Sequence, residues 1–234
     1  MSTEDARALY DDLWTTKWSA MQTFGPVHRH MRRALLDEVR SLGPTSILDV
    51  GCGAGDNLAA LDGAGDFELS GLDISHAALA RASARVPHAS LVSLDITRDH
   101  LPQSFDLVYS IQMIEHILDD FSALRNIARM SHRYVYLSTM TGRMRRSELA
   151  IGHVRNYSPT ELQAKAEAAG IRVRKVAKWG FPFYSAFRAA VELTGGRVAD
   201  AGSPIGRLAS TALYQLYRLN SSRRGDVLTL LGEV

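Results

Sequence analysis

Three aspartates stand where three apolar runs give out. Asp49 lies within Ile47-Leu48-Asp49-Val50, Asp73 follows Phe67–Leu72, and Asp95 follows Ser90–Leu94. Between the first two comes Gly51-Cys52-Gly53-Ala54-Gly55. Glycines at alternate positions let a chain turn tightly and bring bare backbone against a ligand. A helix opening at Asp56 directs its free N–H groups at that loop. A carboxylate at a strand's carboxyl end can accept both hydroxyls of a ribose. Together these residues suit a nucleoside held largely by backbone. Taken singly, Asp73 can equally cap a helix beside Ser75, and Asp95 can be a solvated loop carboxylate.

The elements that must position them follow from periodicity. Ile47, Leu48 and Val50 form the short apolar run of a parallel strand covered on both faces. Further strands are expected at Phe67–Leu72, Ser90–Ile96, Ser104–Ser110, Arg133–Ser138, Ile171–Lys178 and Asp226–Leu231. Helices alternate with them. Ser75 caps Ala77–Arg85, and Asp119-Asp120 opens Phe121–Met130, whose Phe121, Leu124, Ile127 and Ala128 share one face. Ser158, Pro159 and Glu161 form a capping box before a helix that ends at Gly170. This alternation predicts an α/β fold: a doubly wound, mostly parallel sheet with ligands at the strands' carboxyl ends.

The strand, the acid two residues before Gly51 and the Gly-x-Gly-x-Gly loop resemble motif I of the class I S-adenosylmethionine-dependent methyltransferases. The dinucleotide fingerprint fits less well, because its sixth position here is Asp56 rather than glycine. The resemblance implies a Rossmann-like sheet of seven strands with the last inserted antiparallel. It implies S-adenosyl-L-methionine as cofactor, its methionine and ribose part against Gly51, Gly53 and Gly55. Asp49 would orient the ammonium end through surrounding hydrogen bonds, and the carbonyl of Ser110 would face that end. Asp73 would take the ribose, Ile74 the adenine face, and Asp95 with the backbone of Ile96 the adenine edge.

Ile114-Glu115-His116-Ile117 is similar to the segment after the fourth strand of ubiquinone- and menaquinone-type methyltransferases, at the mouth of the site. Gly152-His153-Val154-Arg155-Asn156-Tyr157-Ser158-Pro159-Thr160-Glu161-Leu162 resembles a superfamily stretch whose histidine is brought towards the methyl acceptor. His116 and His153 are therefore the candidate catalytic bases. Each has a structural alternative: His116 holding its loop to the sheet, His153 bonding loop backbone.

Composition narrows the class further. The chain has 234 residues, 46% of them hydrophobic, and a net charge of +2. That suits one α/β domain and implies no strong field for polyanions. Cys52 is the single cysteine, which excludes an intrachain disulfide framework and fits a cytoplasmic setting. No apolar run reaches the 18 or so residues of a spanning helix, and Met1–Asp5 does not read as a signal peptide. The histidines show no metal spacing, so no metal is expected. There is no Asn/Asp-Pro-Pro-Tyr motif and no extended basic surface, so nucleic acid is not the expected acceptor.

Two segments should choose the substrate. Residues 1–45 are expected to form a helical lid. In it Tyr10, Trp14 and Trp18 share one helix face, and Pro26 opens a helix with Phe24, Met31, Leu35 and Val39 apolar. Its basic side is His28, Arg29, His30, Arg32 and Arg33. By the resemblance Tyr10, Trp14 or Arg29 would contact the cofactor. Residues 46–234 are the methyltransferase domain, with 179–225 as a helical cap insertion carrying Phe181, Phe183, Tyr184, Phe187, Tyr214 and Tyr217. Arg143, Arg145 and Arg146 can meet an anionic group on the substrate or be solvated. The expected function is methyl transfer to a small molecule, foremost O-methylation of an apolar or aromatic bacterial-type metabolite; a homodimer is compatible with it. N- or C-methylation is the alternative. A nicotinamide-dependent oxidoreductase and a noncatalytic methyltransferase-like partner are the other readings.

Overall fold

The computed structural model describes residues 3–16, 18–193 and 203–234. The strands are β1 (Ser46–Val50), β2 (Glu68–Asp73), β3 (Ser90–Ser93), β4 (Phe105–Ile111), β5 (Ser131–Met140), β6 (Arg172–Trp179) and β7 (Val227–Glu233). Ahead of them run α1 (Thr3–Thr16), α2 (Trp18–Phe24) and α3 (Pro26–Leu42). Between the strands lie α4 (Asp56–Asp62), α5 (His76–Arg85), α6 (Asp120–Arg129), α7 (Arg146–Leu149), α8 (Pro159–Ala168), α9 (Phe183–Leu193) and α10 (Pro204–Tyr217). The sheet order is β3-β2-β1-β4-β5-β7-β6, with β7 antiparallel to both neighbours and all other pairs parallel. The expected doubly wound sheet is therefore present.

Side-chain alternation gives each face its own core. Ile47, Leu107, Tyr109 and Tyr136 pack with Leu35 and Val39 of α3 and Leu58 and Leu61 of α4. Leu48, Val50, Val108, Leu137 and Leu230 pack on the other face with Leu124 and Ile127 of α6 and Leu162 of α8. Each fully buried aliphatic side chain contributes about 1.5–3 kcal/mol. From β1 the sheet extends through β2 to β3 on one side, and the chain then crosses to β4 on the other. The loops after β1 and β4 therefore part, which opens a crevice at their carboxyl ends.

Capping chemistry sets the helix starts. Ser75 Oγ accepts from the Ala78 N–H, Asp119 from the Ser122 N–H, and Ser158 from the Glu161 N–H in a full capping box. Pro26 opens α3. Two expectations are corrected. The third strand ends at Ser93, not Ile96, because Asp95 folds a turn whose Thr97 N–H and hydroxyl it accepts at 3.0 and 2.7 Å. His30 is not on a solvated basic face: it is buried and stacks on Trp179 with centroids 3.5 Å apart. Burial pushes its pKa down to about 3. Lys17 and the side chain of Trp18 lie outside the described residues, so the expected three-residue aromatic face extends only to Tyr10 and Trp14. Among the described residues no helix is long and apolar enough to cross a membrane.

The amino-terminal end of the sheet is tied by Asp106. Its Oδ2 accepts from the Thr45 hydroxyl at 2.6 Å, the Thr45 N–H at 2.8 Å and the Ser46 N–H at 3.2 Å. Its Oδ1 faces His132 and Arg133 at 3.1 and 3.4 Å. The bonds from Thr45 hold the carboxyl well below the usual range. A depressed folded-state pKa gives stability that is full above the unfolded value of about 3.9 and lost as pH falls towards the folded one. Asp106→Asn should therefore cost about 1–3 kcal/mol at pH 7. In urea unfolding the gap to the parent protein should be smaller at pH 3; an equal gap at both pH values would refute this role.

Candidate active site

The loop after β1 is built by three residues in the left-handed region: Gly51, Gly53 and Gly55, with φ of +79°, +54° and +76°. The Gly51 and Cys52 N–H groups both donate to the Leu72 carbonyl, at 2.8 and 3.0 Å, and so dock the loop on β2. The Gly53 N–H donates to Asp73 Oδ2 at 2.9 Å. A Cβ on Gly51 would fall 2.5 Å from Met113 Cγ, and one on Gly53 would fall 2.2 Å from Trp14 Cζ2. At Gly51 and Gly53 the loop can therefore offer a ligand only backbone.

Asp49 lies beneath the loop and is fully buried. Its Oδ2 accepts from the Tyr109 hydroxyl at 2.8 Å, across the β1–β4 register that aligns the two residues. Its Oδ1 is buried without a partner. Burial pushes its pKa up to about 8, against the Tyr109 bond and with the charge of Asp73 adding to the rise. Asp73 is also raised by burial, opposed by the N–H groups of Ser75 and Gly53. Burial acts against ionisation of Asp95 too, but bonds from Thr3 and Thr97 outweigh it and hold the carboxyl below its usual range.

The crevice is one cavity of about 950 Å³, at the upper end of the roughly 300–1,000 Å³ typical of ligand pockets. Gly51, Gly53, Asp73, Ile74, Asp95 and Ile96 line one part, and His116, His153, Met140, Tyr184 and Phe187 another. Helix α1 closes over the first part. Thr3 Oγ1 donates to Asp95 Oδ2 at 2.6 Å, and Arg7 Nε to the Ile74 carbonyl at 3.2 Å. Asp11 Oδ1 accepts from the Ser75 hydroxyl at 2.5 Å and the Ala77 N–H at 3.0 Å. Tyr10 and Trp14 line the cavity from this helix.

At the far part, two loops meet. A single 3-10 turn, Ile114–His116, follows β4, and the Val154 N–H donates to the Glu115 carbonyl at 2.9 Å. Tyr157 is fully buried, and its hydroxyl lies 3.2 Å from the Ile114 carbonyl and 2.8 Å from Asp120 Oδ2. These ties bring the rings of His116 and His153 to 4.5 Å between centroids, nearly perpendicular. Burial, then His153, pushes His116 down to about 3; burial pushes His153 down to about 4. Both imidazoles are neutral at physiological pH. Glu115 is buried behind them, accepts from the Thr139 hydroxyl at 2.7 Å, and is pushed up to about 7 by burial.

Most sequence-chosen residues converge here: Gly51, Gly53, Asp73, Ile74, Asp95, Ile96, Tyr10, Trp14, His116 and His153 all line the cavity. Asp49 and Gly55 lie behind its wall. Two choices are corrected. Ser110 is buried and does not line the cavity; Ile111 and Gln112 do, the latter with φ +56°. Arg29 points away: its guanidinium lies 4.2 Å from the Tyr214 ring centroid and donates to Thr211 at 3.3 Å. Its helix neighbour His28 faces the cavity instead. Sequence reasoning also passed over Thr3, Gln112, Glu115 and Arg188. Only Glu115 had a visible signal, its place beside His116 in a recognisable motif.

Comparison with known proteins agrees with this geometry. A family model described as a methyltransferase domain matches residues 47–133, from β1 into β5. The ubiquinone biosynthesis O-methyltransferase of Pseudomonas putida is 27% identical over 186 residues, 68% of this chain and 79% of that one. The enzyme of the same name from Thiobacillus denitrificans is 28% identical over 203 residues, 75% of this chain and 87% of that one. Among solved structures, the [4+2]-cyclase SpnF superposes with TM-score 0.69 at 17% identity, over 100% of this chain and 97% of its own. Magnesium protoporphyrin IX methyltransferase of Synechocystis PCC 6803 with bound SAH superposes with TM-score 0.66 at 12% identity, over 99% and 98%.

Sheet order, glycine loop and strand-end carboxylates together define the class I methyltransferase fold. Fold, matching domain and relatives together support an S-adenosylmethionine-dependent methyltransferase, with S-adenosylmethionine as its cofactor. The nicotinamide and noncatalytic readings fall away. The residues fit the cofactor: the partnerless Asp49 Oδ1 beneath the loop suits a cationic group, and the glycine cradle leaves no room for a Cβ.

Gly53→Ala places a methyl against Trp14 at an unfavourable φ. It should weaken S-adenosylhomocysteine binding at least about 10-fold, or about 1.4 kcal/mol, by calorimetry. Gly63→Ala, whose Cβ meets nothing closer than 3.6 Å, should leave affinity unchanged. Equal affinities in the two variants would remove the loop as the cradle.

Proposed function

We propose that this enzyme methylates a hydroxyl group on a small, largely apolar acceptor, with His116 and His153 handling that hydroxyl. The observation that carries the reading is the placement of two neutral, adjacent imidazoles on a cavity wall that also holds Met140, Tyr184, Phe187 and the ion-paired Glu148 and Arg188. The similarity to ubiquinone biosynthesis O-methyltransferases supports oxygen as the nucleophile over nitrogen or carbon. When bound, S-adenosylmethionine supplies a methyl group already activated on a sulfonium.

The chain's own residues then have limited work: binding, orientation and exclusion of water. Gly51, Gly53, Asp73, Ile74, Asp95 and Ile96 hold the donor, with Asp49 beneath its ammonium end, where that cation favours the ionised carboxylate. Helix α1 keeps water out through Tyr10 and Trp14. Met140, Tyr184, Phe187, Val191 and Tyr217 supply an apolar wall for the acceptor. His153 Nδ1, buried and without a partner, is an unmet polar atom available to the acceptor's hydroxyl group. In this reading residues 1–45 act as the lid and 179–225 as the acceptor cap. Within the cap, Tyr214 is committed to Arg29 rather than to the cavity, and Phe183 packs behind Tyr184.

Replacing both histidines with alanine should lower kcat by about 10²–10⁴-fold in single-turnover assays with aromatic hydroxyl compounds. S-adenosylhomocysteine affinity should stay within about two-fold. An unchanged rate would take both residues out of the mechanism.

Phe187 sits at the cap's edge of the cavity, with its ring centroid 6.3 Å from that of Tyr217. Phe187→Ala removes acceptor contact worth about 1–3 kcal/mol. The acceptor KM should rise about 10-fold or more while cofactor affinity holds. A KM equal to that of the parent enzyme would move the acceptor elsewhere.

A further inference from the structure

We propose that Glu115, His116 and His153 form a binding site for a divalent first-row transition ion, and that the acceptor's hydroxyl oxygen completes its coordination. The inference rests on the acceptor site argued above and says how that site makes a hydroxyl reactive.

The donor set is one carboxylate and two imidazoles, whose candidate ligand atoms all lie within 4.8 Å of one another. This composition suits zinc, iron(II) or manganese rather than magnesium or calcium, which prefer all-oxygen sites. Metal–ligand bonds of about 2.1 Å place ligand atoms about 3.4 Å apart, so small side-chain rotations would draw the set together. Two of the atoms stand ready. Glu115 is fully buried, yet its Oε1 has no partner, and His153 Nδ1 is likewise buried and partnerless. A buried carboxylate oxygen left unsatisfied is costly, and a cation removes that cost.

The surroundings are those a metal site needs. Glu115 Oε2 is held by the Thr139 hydroxyl at 2.7 Å. The ring of His116 interacts with the backbone of Gly152 and that of His153 with the side chain of Asn156. Asn156 is in turn fixed by donating Nδ2 to Glu148 Oε2 at 3.0 Å. Such outer contacts orient ligands and set their tautomers. The two rings form cavity wall while Glu115 lies behind it, so the open coordination positions face the acceptor. Three protein ligands with open positions is the arrangement of a catalytic site rather than a closed structural one.

The chemistry balances without an oxidant. The hydroxyl oxygen donates a lone pair to the ion, its proton becomes more acidic and leaves to water, and the oxygen then attacks the methyl carbon. The carbon–sulfur bonding pair returns to sulfur.

The test uses the full chain, treated with a chelator and then titrated with Zn²⁺ or Mn²⁺ alone. Calorimetry and elemental analysis should find close to one bound ion per chain. Glu115→Gln and His153→Ala should each weaken binding at least about 10-fold while S-adenosylhomocysteine affinity reports an intact fold. His88→Ala, an exposed histidine paired with Asp62, should leave binding unchanged. Failure to bind either ion, or binding that survives both Glu115→Gln and His153→Ala, would overturn the site. Chelation should also slow turnover and added ion restore it. Turnover indifferent to chelation, together with a large alanine effect at the histidines, would sink the metal and leave the proposed acceptor site standing.

Discussion

The carboxyl end of β1 is the point on which the rest of this structure depends. There the chain buries a carboxylate, turns through three left-handed glycines and docks the turn on the Leu72 carbonyl of β2. None of these is stable alone. Asp49 tolerates burial because Tyr109 donates to one oxygen, and Tyr109 is in place because β1 and β4 are in register at that pair. The register follows from alternation, since a one-residue slip would exchange Ile47 and Leu48 between faces and carry Asp49 off the face it shares with Tyr109. The unmet Oδ1 is the remaining cost; it raises the carboxyl's pKa and suits a cationic group above the loop.

From that point the lid acquires its logic. Helix α1 does not merely cover the crevice; it bonds at or beside the ends of β2 and β3 and the start of α5. Thr3 reaches Asp95, Arg7 reaches the carbonyl of Ile74, and Asp11 reaches the start of α5 just past Asp73. Trp14 lies directly over Gly53. The lid therefore senses the cofactor loop by contact. A residue that forces the loop away from its φ values also forces Trp14 out, so the loop's conformation and the seating of α1 are coupled by one packing constraint.

What the sequence disclosed follows from where the physics is local. A parallel strand running into alternate glycines, and acids at successive strand ends, are local patterns, and they placed the fold and the donor side of the cavity. Capping residues did the same for α5, α6 and α8. What stayed hidden depends on tertiary direction. Arg29 and His28 are adjacent on α3, and no sequence pattern says that the histidine faces the cavity while the arginine stacks on Tyr214. Ser110 is buried within β4, and the wall is formed instead by Ile111 and by Gln112, whose left-handed conformation its residue type does not announce. The spacing did not show that His116 and His153 meet, because they come from two loops 37 residues apart, joined through Tyr157 and Val154.

The acceptor side is also shaped by a charge balance that the basic run at Arg143, Arg145 and Arg146 conceals. Arg188 of α9 is almost fully buried, paired with Glu148 of α7 and, at 3.1 Å, with Asp226. Arg145 faces the same Asp226 at 3.6 Å. Two cations thus meet two carboxylates, and the network presents no net charge to the cavity. Burial pushes the Arg188 guanidinium down to about 10, but it stays charged, and removing one partner would strand its opposite in a dry site. Arg188 is therefore committed to fixing the cap helix against α7 and the start of β7, not to capturing an anion. With that network neutral, the polar groups of the proposed acceptor site include Gln112, His116 and His153, with Glu115 behind the wall, set among Met140, Tyr184, Phe187 and Tyr217. Such a site discriminates by one correctly placed heteroatom on an apolar frame, because an acceptor lacking it would leave buried polar atoms unmet.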